Sequence, residues 1–363
     1  MEPKIRFKGF EGEWRNLSIT EIASLKAGKN FNKLDAIDKP TVGYYPCYGG
    51  NGQRGYLPYY NQEGKYNIIG RQGALCGCIN VAEGKFYATE HAVIVTPINV
   101  SDFEFLHESL IRANINQYAT GAAQPGISVT NVNSQLSLNY PIYEEQKAIG
   151  KYFTFLDSHI SASTSRLASL KQMKAASLQA MFPQEGETVP KIRFKGFEGE
   201  WKKVKADSIF KTFNEKNRPD LPVLSATQDR GMVTRESIGY NIFHDTSNEA
   251  TYKHILPGQF VIHLRSFQGG FAHSEIEGIA SPAYTIMDFK NKDLYHDYYW
   301  RYVFMSKEFI KRLELITYGI RDGRSISYDE FKEMSFLVPS KEEQIKIASY
   351  LKNLDRQISL QSQ

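Results

Sequence analysis

Apolar residues recur at alternating four- and three-residue steps in two stretches of the chain. In the first, Ile149, Phe153, Leu156, Ile160, Leu167, Leu170 and Met181 mark one stripe, with Ser163, Lys174 and Ser177 as polar breaks. In the second, Ile347, Leu351, Leu354 and Ile358 repeat its beginning 198 residues later. This is the seam of paired helices. No proline interrupts the first stretch, and no glycine follows Gly150 until the helix has run its course. The pattern predicts a helix of about 55 Å at 1.5 Å per residue. Phe182-Pro183 stops it, whereas the second pattern stops at Gln363, about twenty residues short in the same register.

Ahead of each stripe the pattern is of short strands and tight turns. Tyr66 to Arg71 and His91 to Thr96 read as strands, and Tyr48 to Gly55 as a glycine-dense loop. Ser101 with Glu104 has the spacing of a capping box, opening a helix to about Tyr118 with Leu106, Leu110 and Ile111 inward. The second half has strand-like segments from Pro222 to Met287, then a helical pattern from Lys292 to about Leu315.

The two halves share more than a stripe. Pro-Lys-Ile-Arg-Phe-Lys-Gly-Phe-Glu-Gly-Glu-Trp runs from Pro3 to Trp14 and again, letter for letter, from Pro190 to Trp201. Glu144-Glu145-Gln146 and Glu342-Glu343-Gln344 open the two stripes. The chain is therefore a tandem duplication whose frame repeats and whose middles differ. It divides into a domain over 1–142, a spacer helix over 143–182, a linker over 183–189, a domain over 190–339 and a second helix over 340–363. The fold class expected is α+β: two globular mixed domains related by pseudo-two-fold symmetry, joined by two long antiparallel coiled-coil helices. That pairing sets Ile149, Phe153, Leu156 and Ile160 against Ile347, Leu351, Leu354 and Ile358.

Composition narrows the class. With 363 residues, 41% of them hydrophobic and 13% aromatic, the chain can fill two cores. Net charge is +4 and the isoelectric point is near 8.6, which permits an anionic partner without requiring one. Three cysteines, Cys47, Cys76 and Cys78, make no disulfide framework and point to a reducing compartment. No membrane span and no signal-peptide core is visible, so a soluble cytoplasmic protein is expected.

Catalytic signatures are missing. There is no phosphate-binding glycine loop ending in Lys-Ser/Thr and no Asn/Asp-Pro-Pro-aromatic methyltransferase motif. Cys76 and Cys78 with His91 lack standard zinc spacing, and the second half has no counterpart. The histidines at 244, 254, 263 and 273 are scattered. What recurs instead is glycine beside arginine and amide side chains. Asn51, Gln53 and Arg54 lie in the first glycine loop, Arg71-Gln72 at a strand end, and Gln124 in the loop after the helix. The second half has Gln228 and Arg230, Arg265-Ser266 with Gln268, and Arg321 with Arg324. Arginine reads guanine edges and Asn or Gln reads adenine edges, while glycine admits the backbone close to phosphate. Double-stranded DNA is the partner these thirteen residues suggest.

Several strings carry a family resemblance: the duplicated twelve residues, Gly70-Arg71-Gln72-Gly73, Leu264 to Gly270, Ser281-Pro282-Ala283-Tyr284, and Glu-Glu-Gln before each helix. The chain resembles specificity subunits of type I restriction-modification systems. That resemblance implies two target-recognition domains reading a bipartite, asymmetric DNA target for host defence. It implies no catalysis in this chain. It also implies two modification subunits that methylate adenine with S-adenosylmethionine, and restriction subunits that use ATP and Mg. A stand-alone bipartite DNA-binding regulator and a two-module protein scaffold are the alternatives.

Overall fold

The computed structural model describes residues 3–73, 75–98, 101–121, 125–227, 230–238, 246–263, 270–316 and 327–362. The chain divides into two compact units, Met1–Ala162 and Ser163–Gln363.

In the first unit, β1 (Arg15–Ser18) leads into one helical turn, α1 (Ile19–Ile22), closed by reciprocal Ser18 and Glu21 bonds, and then β2 (Ala23–Ala27). β2 is an edge of a six-stranded sheet with β3 (Tyr45–Gly49), β4 (Gly52–Leu57), β5 (Gln62–Gly70), β6 (Ile79–Ala88) and β7 (Ala92–Pro97), ordered β2-β7-β5-β6-β3-β4. Only the β3–β6 pairing is parallel. Side chains alternate across a strand. Ile69, Val93 and Val95 therefore join one buried cluster, and Ile68, Ala92 and Ile94 another. Both faces of the sheet are covered, which is why β7 reads as a near-continuous apolar run.

The first of these faces takes α2 (Phe103–Arg112) through Leu106 and Leu110. Asp102 caps this helix, accepting from the Phe105 amide, where the sequence suggested Ser101; the Ser101 hydroxyl instead meets that of Tyr140. The helix ends six residues before Tyr118, because Asn114 adopts a left-handed φ of 46°. Ile111, expected inward, is exposed. After β8 (Ala119–Thr120), β9 (Gly126–Ile127) and α3 (Val129–Gln135), β10 (Ser137–Tyr140) returns to pair with β1, and α4 (Tyr143–Ala180) begins.

The second unit repeats this frame. β11 (Lys202–Lys205), α5 (Ala206–Ile209) and β12 (Phe210–Phe213) match β1, α1 and β2. β13 (Leu224–Thr227) and β14 (Gly231–Thr234) form a hairpin. β15 (Lys253–Ile255), β16 (Phe260–Ile262), β17 (Phe271–His273), β18 (Gly278–Ala280) and β19 (Thr285–Phe289) follow, with a sheet ordered β12-β19-β16-β17. The single helix expected over 292–315 is two: α6 (Asp297–Met305) and α7 (Lys307–Ile316). Ser306 divides them, its hydroxyl donating to Val303 O and accepting from the Phe309 amide. α8 (Tyr328–Glu333), β20 (Ser335–Val338) and α9 (Lys341–Gln361) complete the unit, and β20 pairs with β11. The core is aromatic: Trp300 meets Phe210 and Phe336 edge-on at 5.0 and 5.1 Å.

The helix pairing expected from the stripes is corrected in register. Ile347, Leu351 and Leu354 of α9 are buried in the second unit's own core, with Ile358 packed against it, and the part of α4 they share that core with includes Leu170. Lys174 Nζ lies 2.5 Å from Asp355 Oδ1, and the Ser177 hydroxyl donates to Tyr350 OH at 3.4 Å. As numbering rises along α4 it falls along α9, so the contact is antiparallel. It involves the second half of α4, however, and not Ile149 to Ile160. Ile149 packs on the first unit's core, while Phe153 is 38% and Ile160 64% exposed. Packing of Ile347 and Leu351 against α6 decides this choice: α9 reaches its own domain first.

Candidate nucleic-acid interface

The first unit brings three of the glycine-flanked segments together. The β3–β4 hairpin turns at Gly52, whose φ of +87° suits glycine. It carries Asn51, Gln53 and Arg54, all exposed. Beside it, β5 ends at Gly70, and Arg71 follows with its amide donating to His91 O at 2.8 Å. The Ile127 amide donates to Arg71 O at 2.8 Å, and Arg71 Nε donates to Ile127 O at 3.1 Å. The Gly73 amide reaches Pro125 O at 3.1 Å. A Cβ added to Gly50 would lie 2.5 Å from the Gln72 carbonyl oxygen, so glycine lets the hairpin touch the strand end.

The sequence-derived residues divide into two kinds here. Asn51, Gln53, Arg54 and Gln72 are exposed, whereas Arg71 is half-buried and clasps the β9 backbone. Arg54 is propped from below, with its guanidinium 5.6 Å from the Phe31 ring centre. Gln124 lies outside the described residues.

The cysteines beneath this surface are packing groups. Burial pushes the Cys47 thiol up to about 11, against the pull of the Arg54 charge. Cys78 Sγ is held at 3.5 Å from Gly50 O and accepts from Asn80 Nδ2 at 3.3 Å. Among the described residues, no group of three or more His, Cys, Asp or Glu is placed to hold a metal ion. His254 sits between Glu215 and Glu277, and His273 against Asp297, so these scattered histidines have structural partners.

In the second unit, Arg230 is exposed on the β13–β14 turn. Its amide donates to Thr227 Oγ1 at 3.1 Å, and that hydroxyl donates to Gly231 O at 2.8 Å. Gly231 has a φ of +74° and packs against the His273 carbonyl with no room for a side chain. Gln228, Arg265, Ser266, Gln268, Arg321 and Arg324 lie outside the described residues.

Sequence reasoning missed the clasp that explains why two separate strings are duplicated. Arg6 grips buried Glu145 with two hydrogen bonds of 2.7 Å, and Trp14 Nε1 adds a third donor at 3.3 Å. Arg193 grips buried Glu343 likewise, at 2.7 and 2.8 Å. Gln146 and Gln344 extend the pattern: each accepts from the backbone amide before α2 or α6, at 3.0 Å in both units. A paired arginine and glutamate recurring in two duplicated strings was the available signal.

Two α+β units on a repeated clasp-and-helix frame, each presenting polar hairpin turns, define a tandem recognition architecture. The family model for the type I restriction modification DNA specificity domain matches residues 11–172 and again 198–363, so the chain belongs to that family. It is 37% identical over 161 residues to the type I restriction enzyme EcoprrI specificity subunit of Escherichia coli. That match spans 44% of this chain and 40% of the relative. The fold is similar to the crystal structure of the type I restriction-modification S subunit from M. genitalium, with a TM-score of 0.66 and 15% identity, over 100% of this chain and 94% of that one. Among the described residues no helix is long and apolar enough to cross a membrane.

Proposed function

We propose that the chain is the DNA-recognition subunit of a type I restriction-modification complex and reads a bipartite, asymmetric target, one half-site per unit. The observation that carries this reading is the β3–β4 hairpin, whose exposed Asn51, Gln53 and Arg54 lie on a turn and strand that Gly50 sets against the exposed Gln72 at the end of β5. Arg54 has the two-pronged donor geometry that reads guanine, and the three amides have the donor-acceptor pair that reads adenine. The backbone closeness that Gly50 permits holds the Asn51 turn against Gln72. Arg230 takes the corresponding role in the second unit, with Gln228, Arg265, Ser266, Gln268, Arg321 and Arg324 proposed from sequence alone.

Family membership supports the division of labour. This chain supplies recognition and no catalysis. Two modification subunits carry S-adenosylmethionine and methylate adenine, and restriction subunits use ATP and Mg, in the cytoplasm. Unlike half-sites would then lie about one helical turn apart. A net charge of +4 leaves little surplus for phosphate attraction, so the chain alone binds target weakly. Titrating labelled target DNA with the purified chain, with and without the modification subunit, tests this. Tight, sequence-specific binding is expected only with the partner. Full affinity from the chain alone favours a stand-alone regulator.

A further inference from the structure

Between β2 and β3 the chain makes one tight helical turn, Lys33–Asp35, with Leu34 at its centre. Leu34 is 91% exposed. A single exposed leucine is ordinary, but this one is held out by a turn that is tied down at several points. Asn32 Oδ1 accepts from the Leu34 amide at 3.2 Å, and Asn32 Nδ2 donates to Asp35 Oδ1 at 3.3 Å. The Tyr59 hydroxyl donates to Asp35 Oδ2 at 2.8 Å, and the Tyr87 hydroxyl to Asn30 O at 2.8 Å. The Tyr87 ring on β6 meets Phe31 and Tyr59 edge-on, with centres 6.2 and 5.5 Å away. Ile37, just beyond the turn, exchanges two backbone hydrogen bonds with Tyr56 of β4.

The same segment supports the recognition arginine. Phe31, three residues before Leu34, carries the Arg54 guanidinium 5.6 Å from its ring centre. Leu34 and Arg54 are thus braced by one aromatic stack. The surroundings are polar and mildly basic. Asn32 and Lys33 flank Leu34 and are exposed, and Lys29, Lys33 and Lys39 outnumber Asp35 and Asp38 in the segment. An apolar protein interface needs a contiguous patch, which a leucine between Lys33 and Asp35 does not supply. A lone apolar side chain among lysines suits a partner that offers an apolar slot between negative charges, as stacked base pairs between phosphates do.

We propose that Leu34 is a wedge that enters between two base pairs of the first half-site and opens the step beside the base that Arg54 reads. The proposal rests on the reading of the chain as a DNA-recognition subunit. Leucine is among the side chains that part a base step and kink the duplex. Fixing the turn beforehand leaves less freedom to be lost when the side chain enters the stack. The wedge adds selectivity without a hydrogen bond, because the cost of opening a step depends on its sequence. The step favoured is a pyrimidine–purine one, which unstacks most readily.

The test uses the full chain with its modification subunits and duplexes carrying the motif mapped by adenine methylation. The fluorescent base 2-aminopurine replaces, in turn, each purine of the first half-site except the methylated adenine. One position should brighten on binding. Leu34→Ala should remove that signal and weaken binding about tenfold, the scale of one lost base contact, while Leu34→Met keeps both. A mismatch at the brightened step opens it in advance, so it should restore the binding of Leu34→Ala; a merely structural leucine would not be rescued by a change in the DNA. Specific binding with no brightened position, or with one that Leu34→Ala leaves unchanged, would overturn the wedge and leave the recognition reading standing. Weaker association of Leu34→Ala with the modification subunits in the absence of DNA would make Leu34 a protein contact and overturn it too. No specific binding by the unchanged complex would overturn the recognition reading and the wedge with it.

Discussion

Arg193 and Glu343 show how much one pair can carry when one partner is buried and the other holds it with two hydrogen bonds. Replacing Arg193 by Met leaves a buried carboxylate without its cation, a loss of about 3–5 kcal/mol in comparable cases. Chemical unfolding should show the second unit's transition falling by about that much, with the first unit's transition unmoved. Gly50→Ala is a different kind of test. It sets a methyl 2.5 Å from the Gln72 carbonyl and forces the hairpin off the strand end. DNA binding should fall at the half-site read by the first unit, with far-ultraviolet circular dichroism retained. Acid sensitivity also belongs at this scale. Burial holds His107 below the ordinary histidine range, aided by Lys65 and opposed by Glu104 and Asp157. His296 is likewise lowered, first by burial. Both therefore bind protons more readily when unfolded. Their contribution is complete above about pH 6.5 and is lost as pH falls below it toward the folded values. Urea midpoints taken between pH 7.5 and 5.5 should fall, and His107→Gln should flatten the first unit's share.

At the scale of elements, the same stripe position makes two opposite forecasts. Leu351→Ala empties a filled site in the core and should cost about 2–5 kcal/mol. Phe153→Ala, at the matched position on α4, should change stability by about 0.5 kcal/mol or less, as exposed substitutions do. Equal costs would show that both stripes are buried. The stripe itself was legible in the sequence, as were the lengths of α4 and α9, the duplicated strings and the strands around Tyr66–Arg71 and His91–Thr96, whereas the glycine-dense Tyr48–Gly55 is a hairpin of β3 and β4. The stripe's partner was not, because a heptad seam reports that a face wants cover without saying which face supplies it. Ser101 misled for a similar reason: Asp102 competes for the cap one residue on, and only the tertiary contact to Tyr140 assigns the serine elsewhere. Ser306 could not be seen to break a helical pattern that runs apolar on both sides of it.

For the whole molecule, the duplicated frame with unlike middles implies one architecture used for two different readings. The sequence singled out thirteen recognition residues from composition and recurrence. In the first unit Asn51, Gln53, Arg54 and Gln72 are exposed on the β3–β4 hairpin and the neighbouring end of β5, and Arg71 has a clasping part, which no spacing rule could distinguish. The measurement that tests the central claim most directly is a map of methylated adenines in cells expressing this chain with its modification subunits. The map should be compared between the unchanged chain and Gln53→Ala/Arg54→Ala. The expected map is a split motif with two unlike halves, and the variant should relax one half while leaving the other intact. Loss of a base contact corresponds to about 1–3 kcal/mol at one position. A continuous or palindromic motif, or a variant that weakens every site equally, would contradict the account.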